Sequence, residues 1–368
     1  MLRSLVLLTC LGLCLPRGVV AGSFSVTLAA DYSSVTQTLD IYRGRTGNPG
    51  DVARLRGSSI ALATTALLAH QLLTPDDLER AMADAKFGQL TDDDVFQMRS
   101  AQQNVAAIDE LLQEMRTRNF TRRVVATVQQ LFPDDAHMTT TIPLYIVAFG
   151  HQNIDAFVRR VVWRGETPVF VGEGQGELTI VLNLAKAVTY GRNVDERFIG
   201  TLSVVAHEVF HAAFGVYCDA SPLWQAYHAT HTTPLDQLLA LTQNEGIAHY
   251  LSFEQRTGGR VPDDWDEKVR AAIQLFNTRA EELLSPRTSA AAAAAIIRQS
   301  NTSGFWESYG AVTGLFIART IDQRLGREAL TGTVRLGPAD FFGEYAALCK
   351  RDNNLPRFGE RVLQRITE

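Results

Sequence analysis

Apolar residues recur at three- and four-residue steps through the first third of the chain, a spacing that predicts amphipathic helices. The clearest series is Val105, Ile108, Leu112 and Met115. It belongs to a helical pattern over residues 92–130. Before it, Thr74-Pro75 has the residue types of a helix cap and first-turn proline, which predicts a helix over residues 75–88. We therefore expect residues 22–135 to be mainly helical.

The pattern changes in the middle of the chain, where three β-branched and apolar segments predict β-strands. These segments are Thr140–Phe149, Val158–Trp163 and Glu177–Leu184. Two predicted helices follow them. The first covers Asp195–Phe214 and should end at Gly215, and the second covers Thr233–Gln255 and should end near Gly258. After residue 260 the helical spacing returns and continues to the end of the sequence.

These elements together predict an α+β protein that is mostly helical, with a small mixed β-sheet between helical lobes. The expected organisation has four parts, which are a signal peptide over residues 1–21, an N-terminal helical region over 22–135, a core over 136–260 and a C-terminal helical region over 261–368.

The first segment has the layout of a secretory signal. Arg3 precedes an apolar run over Leu5–Leu15, and the small-residue sequence Val19-Val20-Ala21 follows as a cleavage site. The alternatives are an uncleaved anchor and a buried first helix. Cleavage after Ala21 predicts an exported protein, either periplasmic or extracellular.

Charge, hydropathy and cysteine content limit the partners and the cellular setting that the sequence can suit. The formal net charge of −5 disfavours a nucleic-acid partner, which would favour a basic face. No second apolar stretch approaches membrane-span length by inspection, so we expect no integral membrane segment after signal cleavage. Cys218 and Cys349 lie beyond the signal and would form either one disulfide or two free thiols.

The strongest chemical signal is His207-Glu208-Val209-Phe210-His211. Residues four apart lie on one face of a helix, so the two imidazoles can bind the same Zn²⁺ ion. Glu208 lies one step around the helix, where it can take a proton from water without binding the metal. An ordinary surface helix is the alternative, but apolar neighbours predict that this helix is buried, and buried charge needs a partner.

A catalytic zinc site uses three protein ligands and leaves the fourth position open. The candidate third ligand is Glu245, in the sequence Asn244-Glu245-Gly246-Ile247-Ala248, on a second helix rich in apolar residues. A carboxylate on the solvated face of that helix is the alternative.

These two motifs resemble those of the gluzincins, metallopeptidases in which a second helix supplies a glutamate ligand. The chain resembles more specifically a family of bacterial zinc-dependent peptidases that carry His-Glu-x-x-His followed by Glu-Gly-x-Ala. The resemblance covers Leu178 to Phe253. It implies a zincin-like core in which the sheet lies over the His-Glu-x-x-His helix. It also implies that the strand over Leu178–Leu184 is an edge strand that pairs with an extended substrate.

Two features depart from thermolysin-like enzymes. The segment between His211 and Glu245 is longer, with 33 residues that include Cys218 and Trp224. Four residues after Glu245 stands His249, where those enzymes carry an acid that orients a zinc histidine. His249 could instead become a fourth ligand, which would close the site and indicate a structural or regulatory metal.

Hydrolysis of a peptide bond also needs a group that stabilises the oxyanion. Gluzincins often use a tyrosine or histidine, and Tyr309 in Phe305-Trp306-Glu307-Ser308-Tyr309-Gly310 is the first candidate. The alternative is a core aromatic residue whose hydroxyl is internally bonded. His228 and His231 are weaker candidates.

The sequence therefore predicts an exported zinc-dependent metallopeptidase that acts on a peptide or protein substrate. His207, His211 and Glu245 bind zinc, Glu208 is the general base and Tyr309 holds the oxyanion. Two alternatives stay open, which are a zinc hydrolase of non-peptide substrates and a non-catalytic protein that keeps the metal helix as a scaffold.

Overall fold

The computed structural model describes residues 24–45, 47–91, 93–172, 175–302 and 305–367. The predicted signal peptide lies outside the described residues, so it stays a prediction. Helices flank one five-stranded mixed sheet, which confirms the predicted α+β, mostly helical class.

The sheet has the strand order β1-β2-β5-β3-β4. Its strands are β1 (Phe24–Asp31), β2 (Met138–Val147), β3 (Ala156–Arg164), β4 (Thr167–Phe170) and β5 (Glu177–Asn183). The first two strands and β5 are parallel, whereas β3 is antiparallel to both of its neighbours. The three predicted strands correspond to β2, β3 and β5.

Strand β1 was not predicted, in a region that was expected to be mainly helical. Val26 and Leu28 are buried while Ser25 and Thr27 are exposed, which is the two-residue alternation of a strand. It pairs with β2 from far along the chain, with Phe24 opposite Met138. Short strands with such distant partners give a weak local signal.

Between β1 and β2, the described residues form seven helices. They are α1 (Ser33–Tyr42), α2 (Pro49–Ala53), α3 (Arg56–Ala69), α4 (Pro75–Phe87), α5 (Met98–Gln103), α6 (Val105–Thr117) and α7 (Phe120–Gln129). Helix α4 begins as predicted, with a capping box between Thr74 and Asp77. The predicted helical stretch over 92–130 is divided into three helices, and the break before α7 falls where Asn119 has a left-handed φ of +53°.

The central part of the chain adds α8 (Leu184–Ala187), a 3₁₀ turn over Val188–Tyr190, α9 (Val194–Ala220), α10 (Pro222–Thr230) and α11 (Pro234–Thr257). Helix α9 passes through Gly215, which was expected to end it. The helix continues because residues beyond Gly215 still pack inward, including the buried Tyr217. Helix α11 begins with a capping box between Thr233 and Asp236 and ends at Gly258, as predicted.

Helix α9 is long and apolar enough to cross a membrane by length and composition, which inspection of the sequence missed. However, 61% of its most apolar window is buried inside the protein. Such burial is typical of the core helix of a folded domain, and the length of α9 is therefore weak evidence for a membrane span.

The C-terminal part is helical, as predicted. It contains α12 (Trp265–Leu283), α13 (Ala290–Ser300), α14 (Tyr309–Leu325), α15 (Arg327–Leu336), α16 (Pro338–Arg351) and α17 (Glu360–Thr367). No disulfide joins Cys218 and Cys349, which agrees with the second of the two alternatives that the sequence left open.

Helix α11 lies between α9 and α14, and it meets α14 at two facing glycines. A Cβ atom on Gly246 would lie 2.2 Å from the carbonyl carbon of Gly314. Real side-chain atoms do not approach so closely, so the glycines allow the two backbones to touch. This crossing fixes the position of the residue before Gly246, the candidate ligand Glu245.

We expect Gly246→Ala to lower the free energy of unfolding by about 1–3 kcal/mol or more, because the added methyl group forces two backbones apart. The matched control is Gly343→Ala in α16, where a Cβ would meet open space. That change should stabilise by about 0.5–1 kcal/mol, since alanine favours a helix over glycine. Urea denaturation measures both effects, and equal losses in the two variants would contradict the close packing.

Candidate metal centre

Two neighbouring helices bring the predicted ligands together. His207 and His211 lie one turn apart on α9, and their Nε2 atoms are 3.0 Å from each other. Glu245 comes from α11, with its Oε2 atom 3.3 Å from Nε2 of His211 and 3.8 Å from Nε2 of His207. One donor atom from each residue lies within 4.8 Å of the other two. Together, these three residues form a group that could hold a metal ion.

The hydrogen bonds of both imidazoles favour a metal at this point. Nδ1 of His211 lies 2.9 Å from Oδ1 of Asn244, and the amide oxygen can only accept, so the imidazole Nδ1–H donates. The imidazole of His207 forms a hydrogen bond with the backbone of Ala248. Metal-binding histidines characteristically donate their other N–H in this way. The Nε2 lone pair of His211 is thereby left facing His207 and the Glu245 carboxylate, an arrangement that a shared cation stabilises.

Electrostatics within the group point the same way. Burial lowers the pKa of His211, but the Glu245 carboxylate, with smaller contributions from Glu208 and Asn244, outweighs burial and raises that pKa to about 9. Burial raises the pKa of Glu245, yet the two histidines bring it below its usual value. Burial and the neighbouring histidines hold the pKa of His207 well below its usual range. The group thus favours one positive charge at its centre, carried either by a proton or by a metal ion.

His249 stands next to this group and outside it. Its Nε2 atom is 3.9 Å from Oε2 of Glu245, and its ring packs against the rings of His207 and Phe305. Burial, followed by the charges of His211 and Arg256, lowers the pKa of His249 to about 3. A neutral imidazole is therefore held beside the three donors. Metal binding by His249 stays an open alternative.

Glu208 lines the cleft beside the three donors. Burial raises the pKa of its carboxyl to about 7, and the charges of Glu245 and Asp155 add to that effect. His211 and Arg159 act in the opposite direction. A carboxyl whose pKa lies near neutrality can both accept and return a proton, which suits a general base.

The cleft has two chambers, which share lining residues on β3 and beside the metal-binding group. The first, here the Phe305 chamber, has a volume of about 700 Å³ and contains Glu208, Glu245 and Arg256. The second, here the Trp224 chamber, has a volume of about 810 Å³. Four residues line both chambers, namely Val158, Arg159, His211 and Asn244. A ligand at the metal-binding group can therefore extend in two directions.

The comparisons with known proteins give one match. Residues 63–354 match the family described as "Putative zinc dependent peptidase (DUF5700)", and this match covers more than half of the chain. The chain belongs to this family. Searches of curated proteins and of solved structures find no match. The family description names zinc, and His207, His211 and Glu245 are the residues here that could hold it.

Within this family member, Tyr309 does not lie with the other predicted site residues. It begins α14, it is 3% exposed, and its hydroxyl donates to the carbonyl of Ile296 at 2.9 Å. Its ring packs against Phe276, and Tyr309 lines neither chamber. Tyr309 therefore fits the alternative that the sequence left open, a core aromatic residue whose hydroxyl is internally bonded. Its role in holding the oxyanion stays a prediction, and the hydrogen bond to Ile296 does not favour it.

The two weaker histidine candidates lie between His211 and Glu245 in sequence, on and just after α10. His228 lines the Trp224 chamber, with its ring packed against Trp224. His231 stacks on Tyr227 with ring centroids 4.2 Å apart. Of these two, only His228 faces the cleft.

The expected substrate-binding strand requires a correction. Strand β5, which contains the predicted segment Leu178–Leu184 apart from its last residue, has β2 on one side and β3 on the other. The sheet ends in β1 on one side and in β4 on the other. On the second side, β4 pairs only with Val161–Arg164, so the first part of β3 also has a free edge. Within the described part of the chain, residues 156–159 have no strand on that side. The hairpin β3–β4 follows β2 in sequence, yet in the sheet β5 lies between β2 and β3. The pattern of apolar residues in the strands does not reveal this order.

The sequence also gave no role to two residues at the site. Asn244 was noted only as the neighbour of Glu245, and its contact with His211 depends on how α9 and α11 cross. Arg159 lies in the predicted strand Val158–Trp163, which was assigned no chemical role. The signal that could have indicated a role was the pair Arg159-Arg160 within an otherwise apolar strand. One arginine of such a pair can face a cleft that lies beside the strand.

Proposed function

We propose that the chain is an exported zinc-dependent metallopeptidase of the gluzincin type. The observation that carries this proposal is the convergence of two imidazole nitrogens and one carboxylate oxygen beside Glu208, in an open cleft. Membership of the zinc-dependent peptidase family supports it independently. The signal-like sequence over residues 1–21 supports export.

His207, His211 and Glu245 would hold the zinc ion. When bound, zinc polarises the substrate carbonyl and lowers the pKa of a coordinated water to about 7. The Asn244 side chain keeps His211 in the tautomer that presents Nε2 to the ion. This hydrogen bond thus orients His211 before any substrate binds.

Glu208 would accept a proton from the attacking water on its carboxylate oxygen and later return it to the leaving amine nitrogen. Its raised pKa, near 7, fits both transfers because neither the acid nor the base form is strongly favoured near neutral pH. Arg159, whose charge acts on Glu208 and which lines both chambers, can offer guanidinium N–H groups to negative charge that forms in the cleft.

A peptide substrate would add to the free edge of β3 over residues 156–159. Main-chain hydrogen bonds to a strand edge hold an extended peptide without regard to its sequence, while side-chain pockets supply specificity. Val158 and Arg159 lie on this edge and line both chambers, so a peptide added here would pass the metal-binding group.

The direct test is hydrolysis of a mixed peptide library by the purified protein. We expect cleavage that stops when zinc is removed by a chelator and returns when zinc is added. A library of esters and acylated sugars, run in parallel, tests the non-peptide alternative. Zinc-loaded protein that cleaves none of the peptides would contradict the proposal.

A further inference from the structure

The exposed lining of the Trp224 chamber is mainly apolar, and apart from the residues that it shares with the Phe305 chamber this lining has no role in the proposed chemistry. Its wall contains Val158, Leu178, Phe214, Trp224, Ala240 and Leu241. Its charged lining groups include Arg159, Arg160 and Asp219. At about 810 Å³ it has the size of a small-molecule site, large enough for a bulky side chain.

The floor of this chamber is held in place by contacts away from the cavity. The indole nitrogen of Trp224 donates to the carbonyl of Val334 at 2.9 Å, so the polar group of this residue is already bonded. The ring packs edge-on against Phe214 at a centroid distance of 5.1 Å. Trp224 is 2% exposed and Phe214 is 5% exposed. The chamber therefore offers a fixed aromatic surface to an apolar group.

A glycine within α9, Gly215, independently indicates that the Trp224 chamber is an open cavity. It lies inside α9, where glycine costs roughly 1 kcal/mol relative to alanine. A Cβ at this position would meet nothing within 4 Å, so close packing within the protein does not require the glycine. It lines the Trp224 chamber one turn beyond His211. A side chain at this position would project into the cavity.

The direction of β3 relates the two chambers to the cleaved bond. Asp155 and Phe157, at the start of β3, line only the Phe305 chamber, whereas Arg160, farther along, lines only the Trp224 chamber. A peptide that adds antiparallel to β3 runs the opposite way. Its residues before the cleaved bond then lie over the Trp224 chamber, and its residues after that bond lie over the Phe305 chamber.

We propose that the Trp224 chamber binds a large apolar side chain, such as Phe or Leu, one or two residues before the cleaved bond of a peptide. This inference rests on the proposed peptidase function, and it names the substrate class. Since peptide extends on both sides of the metal-binding group, the enzyme cleaves internal bonds.

The test uses a peptide library and two tryptophan variants of helix-interior glycines. Gly215→Trp places a ring in the Trp224 chamber. Gly343→Trp is the matched control, since a Cβ on Gly343 also meets open space and the residue lines no described chamber. Mass spectrometry of the products gives the residues around each cut. We expect wild type and Gly343→Trp to prefer large apolar residues before the cut, and Gly215→Trp to lose at least tenfold in kcat/KM for those peptides relative to peptides with Ala there.

A binding measurement separates this inference from the proposed function. In the Glu208→Gln background, a labelled peptide with Phe at the preferred position should bind at least tenfold more tightly than the same peptide with Ala. Adding Gly215→Trp should remove that difference. Apolar preference in binding without any turnover in the wild type would refute the peptidase and leave the chamber assignment standing.

Two results would overturn the inference while leaving the peptidase intact. One is cleavage with no apolar preference before the cut, or with the preference after it. The other is an unchanged preference in Gly215→Trp. If circular dichroism shows that Gly215→Trp does not fold, Ala240→Phe on the facing helix replaces it, because that side chain fills the same chamber. The expected and contradicting results are then the same as for Gly215→Trp.

Discussion

Glu208→Gln should retain the zinc content of the wild type and lose turnover by about 10²–10⁴-fold in kcat, the usual contribution of a general base. Glutamine has nearly the same shape and removes only the ability to accept a proton. The substituted side chain does not belong to the group of three metal donors, so metal binding should persist. Steady-state kinetics on a cleaved peptide, beside elemental analysis of the same sample, measures both quantities.

The matched control is Glu307→Gln, a change to a carboxylate that lines neither chamber, and it should leave kcat unchanged. Wild-type turnover in Glu208→Gln would remove Glu208 from the mechanism. Loss of zinc in Glu208→Gln would instead mean that the carboxylate supports the metal, which would also contradict its assigned role.

Asn244→Leu should weaken zinc binding by about 10–100-fold, the range found when a hydrogen-bond partner of a ligand histidine is removed. Leucine has a similar volume but cannot accept the Nδ1–H of His211, whose orientation then becomes free. Competition with a chromophoric chelator measures the affinity.

Asn244→Asp is the paired variant, because a carboxylate still accepts that hydrogen bond. It should bind zinc at least as tightly as the leucine variant and close to wild type. Equal affinity in wild type and Asn244→Leu would show that the 2.9 Å contact with His211 has no influence on the metal.

The sequence predicted best the features that depend on local spacing. His207 and His211 share a helix face because four residues make one turn, and no knowledge of the rest of the fold is needed for that inference. Glu245 could be proposed because an acidic residue stood on a second apolar helix. The helix starts at Thr74-Pro75 and near Thr233-Pro234 could be predicted for the same reason, since a cap involves only the first turn of its helix.

Features that depend on how distant segments meet were not predictable. β1 is held by β2, and the later strand β5 inserts between β2 and β3. The first part of β3 has a free edge because β4 covers only Val161–Arg164. Gly215 was expected to end α9, yet packing of Tyr217 continues the helix past it. Tyr309 was chosen for its residue type, while its position depends on α14 and on the carbonyl of Ile296.

The metal content of the purified protein tests the central claim most directly, measured by mass spectrometry for wild type, His211→Ala and Glu245→Ala. The three-donor site predicts one zinc per chain in the wild type and a sharp loss in both variants, while Glu307→Gln keeps its zinc. Wild-type protein that holds no zinc after reconstitution, or zinc that survives both ligand substitutions, would contradict it.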